Sequence, residues 1–221
     1  MHVDNDPLYQ FESARRHWED TDDLYSKRES RKVFVNIPYA TAYYHLEVAL
    51  CSTLIAYDLI PILAKHSYHE RMILKKLLHL IDICGYGVSD LSDANRMNLP
   101  FEHGLILGKK PIKRACALVA SYPPIRDHLS DLQGLVLKEH GNCPARLVQE
   151  LAEWLWVNAK RDIPEIRLSI RPTSIVRTLP AVEKLLAQNR SYATVAAHYD
   201  ELLLEACLSE GNGSFGQGEA Q

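Results

Sequence analysis

The sequence predicts an α/β fold: an open parallel sheet with helices on both faces and a small helical C-terminal extension. Three observations carry this. Short apolar, β-branched runs alternate with segments of helical spacing. Most of those runs are apolar on both sides, as strands covered by helices above and below must be. Four or five such units follow one another within about 125 residues, which suits a flavodoxin-like, doubly wound sheet.

The elements follow in order. Residues 1–31 form a charged N-terminal extension of mixed sign, in which 10–30 suit a solvated helix with Phe11, Trp18 and Leu24 as its few apolar contacts. Val33–Ile37 reads as a strand closed by Pro38. Residues 42–57 have helical spacing, with Tyr43, Leu46, Leu50, Leu54 and Tyr57 on or near one face. Leu59–Ala64 is a second apolar run, and Pro61 inside it argues for a sheet edge. Residues 69–81 predict a helix with Met72, Leu74, Leu77, Leu78 and Ile81 inward and Arg71, Lys75 and Lys76 outward. Ile83–Leu91 reads as a strand with its exit loop; Gly85-Tyr86-Gly87 within it reads as a two-glycine turn, far weaker than a dinucleotide fingerprint. Pro100–Leu107 reads as a helix with Gly108 as its C-cap. Ala115–Ala120 is a further strand, and 144–158 a long helix with Leu147, Leu151, Trp154 and Leu155 inward.

These elements make residues 32–158 one domain. Pro164 then marks a change. Residues 159–208 form a helical extension, either a lid or a packing layer, with helices expected near 178–188 and 191–207; the Gly-rich tail 209–221 reads as disordered.

Composition narrows the function. The chain has 221 residues, 47% of them apolar, and a formal net charge of −3. That balance gives no strong nucleic-acid signal, since phosphate neutralisation needs a basic excess. No apolar run approaches the roughly 20 residues of a membrane helix, and the polar N-terminus has no signal-peptide core. Five cysteines without a CxxC pair suggest buried thiols in a reducing, cytoplasmic setting. No metal-ligand spacing, Walker A loop or Gly-x-Ser-x-Gly elbow occurs, which disfavours metalloenzymes, P-loop NTPases, kinases and α/β-hydrolases.

In an open parallel sheet, ligands bind beyond the carboxyl ends of the strands. The residues expected there are Asn36, Pro38 and Tyr39 after the first strand, then Asp90 and Ser92 after the third. Asn95, Arg96, Asn98 and Glu102 lie on the way into the next helix. This polar, aromatic and carboxylate-bearing set suits a ribose or nucleotide. Glu102 stands out, flanked by Phe101 and Leu105 and expected to face Asp90, a like charge that would tune its pKa. Its plainer reading is a first-turn carboxylate that complements the helix dipole, for ~0.3–1 kcal/mol. Asp90 reads equally as an Asx cap of the next turn, and His103 as a surface or packing residue.

Three segments have a distinctive series: Val33-Phe34-Val35-Asn36-Ile37-Pro38-Tyr39, Gly87-Val88-Ser89-Asp90-Leu91-Ser92, and Arg96-Met97-Asn98-Leu99-Pro100-Phe101-Glu102-His103-Gly104. With Ser130-Asp131-Leu132-Gln133-Gly134 and His140-Gly141-Asn142, the series resembles bacterial TIR-like proteins related to nucleoside 2-deoxyribosyltransferases. The resemblance spans roughly 32–158, and its most specific part is the Asn-x-Pro-Phe-Glu-x-Gly block. His103 stands where that group has an apolar residue. The resemblance implies an N-glycosidase, a defence or signalling effector cleaving the ribosyl C–N bond of NAD or a related nucleotide or nucleoside, with no separate cofactor. Asp90 or Ser92 and Glu102 would flank the ribose, with Glu102 as nucleophile or oxocarbenium stabiliser. Asn36, Pro38, Tyr39, Arg96 and Asn98 would help bind the substrate. Activity on assembly into a homo-oligomer is implied too. The competing expectation is a non-catalytic nucleotide-sensing or oligomerising module.

Overall fold

The computed structural model describes residues 31–63, 73–93, 96–121, 137–160, 162–163, 166–167 and 169–211. The expectations for residues 10–30, Arg71, Met72, Asn95, 130–134 and 212–221 lie outside them.

Five strands form one all-parallel sheet in the order β2-β1-β3-β4-β5: β1 (Lys32–Asn36), β2 (Ile60–Leu63), β3 (Tyr86–Asp90), β4 (Ala115–Val119) and β5 (Leu137–Glu139). This is the doubly wound, flavodoxin-like order, with the strand sequence reversing between β1 and β3. The three apolar runs beginning at Val33, Ile83 and Ala115 supply neighbouring parallel strands, as their two-sided apolar character predicts. Pro61 lies on edge strand β2, where its missing N–H costs no ladder bond to a further strand.

Side-chain alternation divides the core. Val33 and Val35 of β1 face helices α1 (Tyr44–Ala56) and α4 (Pro144–Asn158). Phe34 faces α2 (Ile73–Ile83) and α3 (Asn98–Lys109). Of two further helices, α5 (Pro172–Ala187) packs on α1 and α4, and α6 (Tyr192–Gly211) packs on α5 and α1, rather than on the sheet. Ile175, Leu179, Val182, Val195 and Tyr199 enter the same core as Val33 and Leu50. Of the two readings of the extension, the packing layer matches this arrangement. A Tyr57 hydroxyl bond to the Ile170 carbonyl, and Arg167 bridging Asp58 and Asp200, tie the layer down.

Several boundaries differ from expectation, each for a physical reason. The predicted one-sided stripe on α1 is absent: every residue from Leu46 to Ala56 is buried. The sheet covers one side of this helix and the C-terminal layer covers the other. Helix α2 runs on to Ile83, so Ile83 is not in the strand; the break falls at Cys84-Gly85, where glycine ends the helix. Its buried residues are Leu77, Leu80 and Ile81, while Leu74 is exposed. Gly87 is mid-strand in β3, not in a turn. Helix α3 starts at Asn98 and ends at Lys109, with Gly108 inside it and Lys110 as C-cap. Helix α5 ends and α6 starts within one residue of the expected limits, but α5 starts six residues earlier and carries Pro180 internally, and α6 ends four residues later. Cys51, Cys84 and Cys116 are buried free thiols. No described helix is long and apolar enough to cross a membrane.

Candidate site at the carboxyl edge of the sheet

The carboxyl ends of β1 and β3 meet at the point where strand order reverses, with Asn36 beside Ser89 in register. Alternation places Asn36 and Ser89 on the α3 side. Asn36 is 2% exposed, and its amide donates both to Ser89 Oγ (3.3 Å) and to the Leu99 carbonyl of α3 (3.0 Å). Ser89 Oγ lies 2.9 Å from Nδ1 of His103. Ser89 Oγ thus accepts from Asn36 and shares a hydrogen bond with His103 Nδ1 whose direction follows the imidazole tautomer. Burial favours the neutral imidazole, pushing its pKa down to about 4. Of the two plain readings of His103, surface or packing, the packing one holds: it is 1% exposed and braces α3 to β3.

Glu102 lies between the two tethered residues of this turn, Leu99 and His103. It is on the same end of the sheet as Asn36, partly exposed, and Asn98 Nδ2 approaches its Oε1 at 3.4 Å. Because α3 begins at Asn98, Glu102 belongs to the second turn rather than the first. The helix-dipole explanation of its position weakens accordingly, since that effect fades within one turn.

Asp90 points the other way. Its register partner is Leu118, which packs on the α1 and α4 side. Its carboxylate, 1% exposed, accepts from the Ser92 backbone N–H (2.9 Å), from Ser92 Oγ and from His140 Nε2 (3.2 Å). Asp90 thus does cap the following turn, and it does not face Glu102: β3 separates them. His140 is oriented in turn by the Asn142 N–H donating to its Nδ1 at 3.2 Å. Gly141 and Asn142 both take positive φ, 58° and 56°, which folds that N–H back over the ring. The cluster is not a nucleophile relay: one nitrogen, Nε2, serves both Ser92 (3.2 Å) and Asp90, whereas a relay needs opposite nitrogens.

The expected site residues therefore divide. Asn36, Pro38 and Asp90 are buried supports. Tyr39, Ser92, Arg96 and Glu102 are partly accessible and Asn98 is exposed. Arg96 is paired with Asp93 at 3.1 Å. Tyr43, expected on the inward stripe, does pack against the core just ahead of α1, and it also lies near this edge: burial first, then the Asp90 and Asp93 carboxylates, push its phenol pKa up, against Arg96. His140 was legible only as part of the His-Gly-Asn motif. His103 could have been found from its spacing with Leu99 and Ile106, which makes it the centre of an inward face. Among the described residues, no group of three or more His, Cys, Asp or Glu is arranged to hold a metal ion.

Comparison with protein-family models, curated proteins and solved structures gives no match.

Proposed function

We propose that this protein cleaves the N-glycosidic bond of NAD or a related nucleotide or nucleoside, with Glu102 as the charge that stabilises the reacting sugar. One observation carries the reading. At the strand-order reversal, where open parallel sheets bind ligands, the turn bearing Glu102 is tethered from beneath while its carboxylate keeps access to solvent. Tethering keeps the charge in place before the substrate arrives, which is what electrostatic stabilisation needs.

The chemistry balances simply. The C1′–N bond breaks and its electron pair leaves with the base. Positive charge develops on the ribosyl ring, opposite the Glu102 carboxylate, which holds it as an ion pair or captures it covalently. Water then adds at C1′ and releases a proton. The cationic nicotinamide of NAD leaves as a neutral base, so no acid is needed. Asp90 then supports the loop that presents Ser92 to the sugar, and Asn98 steadies Glu102.

The test is release of nicotinamide, or of a free base from nucleosides, by wild type and Glu102→Gln at concentrations that favour the homo-oligomer the resemblance implies. Gln keeps the size and loses the charge. Turnover should fall by about 10²–10³-fold, mainly in kcat, because the full charge exists only in the transition state. Equal turnover in the two proteins would overturn the reading. Tight nucleotide binding without turnover in either would favour a sensor.

A further inference from the structure

We infer that His103, acting through Ser89 and Asn36, is a positioning residue for Glu102; this rests on the reading of Glu102 above. The geometry is a closed circuit between one helix and two strands. The Leu99 carbonyl receives the Asn36 amide, the Asn36 amide also reaches Ser89 Oγ, and the Ser89 hydroxyl reaches His103 Nδ1. Leu99 and His103 are four residues apart on the inward face of α3, so the circuit grips both ends of one turn. Glu102 lies within that turn. Its Cα cannot slide along or rotate about the helix axis without breaking a bond to β1 or to β3.

Packing alone does not call for this circuit. Asn36, Ser89 and His103 are each at most 2% exposed, and apolar side chains would fill the same space without desolvating polar groups. The circuit has direction as well: the Asn36 amide donates to both Ser89 Oγ and the Leu99 carbonyl, which fixes its orientation. Such networks specify a unique arrangement when every member is satisfied. A 1 Å displacement of a catalytic group can cost about 10²-fold in rate, so holding this turn bears on turnover more than on substrate affinity.

The test compares His103→Leu with His103→Gln. Leu fills the space but cannot hydrogen-bond Ser89 Oγ, whereas the Gln amide can accept from it or donate to it. The expected result is a kcat at least about tenfold lower in the Leu variant, with KM little changed, and recovery of most of the loss in the Gln variant. A second readout is independent of turnover: the carbon-13 resonance of the Glu102 carboxyl, read by NMR, should shift in the Leu variant and return in the Gln variant. Equal kcat in wild type and Leu, or an unmoved Glu102 resonance, overturns the inference. Turnover unaffected by Glu102→Gln, or no turnover by wild type, instead removes the catalytic reading, and the resonance then decides the positioning role by itself.

Discussion

At the scale of the residue, His103 makes stability depend on pH in a definite window. Its pKa is about 4 in the fold, against about 6.5 unfolded. The unfolded chain thus binds the extra proton first as pH falls. The stabilisation is complete above about 6.5, declines below it, and is lost by about 4, for roughly 3 kcal/mol in all. Urea unfolding between pH 7 and 4 should show wild type losing more stability than His103→Gln, and parallel curves for the two would refute the assignment. The same residue shows what the sequence left hidden. Glu102, Asp90 and Asn36 were legible as residues of one sheet edge because parallel strands deliver their carboxyl ends together. Which side of the sheet each faces depends on one-residue parity. Strands apolar on both faces carry no mark of that parity, so Asp90 was expected opposite Glu102 and is instead across β3 from it.

At the scale of the element, β3 and α3 meet at a contact that leaves no room for a side chain. A Cβ on Gly87 would lie 2.5 Å from Cγ2 of Ile106. Gly87→Ala should therefore push α3 outward and destabilise the fold by about 1–3 kcal/mol. Ile106→Ala alone should cost about 2–5 kcal/mol by leaving a cavity. Together they should cost less than their sum, measured by denaturant unfolding, and strict additivity would show that the two do not meet. Element type was legible wherever periodicity was strong, as in α4, whose four expected inward residues are all buried. Element ends were not, where one apolar run passes from helix to strand. Ile83 reads as strand although Gly85, just beyond it, marks the end of α2, and Gly108 reads as a terminator although the helix runs through it.

At the scale of the whole molecule, the C-terminal helices belong to the core they cover. Thr178 and Tyr199 share a buried hydrogen bond of 2.9 Å between α5 and α6. Ile175, Val182 and Val195 are fully buried in the same cluster as α1. A chain ending at Ile163 would expose the outer side of α1, whose residues from Leu46 to Ala56 are all buried here. Such a truncation should lose its cooperative thermal transition and bind hydrophobic dyes. A soluble fragment with a sharp melt would contradict this account of the layer. The sequence announced two helices beyond Pro164 but not their seat, although the run Val48–Ala56, apolar apart from Ser52 and Thr53, marks α1 as a helix covered on every side.

The all-round burial of α1 bears on how the chain is made. The residues that finally shield this helix, ending with Tyr199, leave the ribosome about 140 residues after it does. At about 5–20 residues per second, the apolar outer side of α1 waits on the order of ten seconds for its cover. During that interval the nascent protein presents an aggregation-prone surface, and a chaperone that binds apolar helices has its clearest target there.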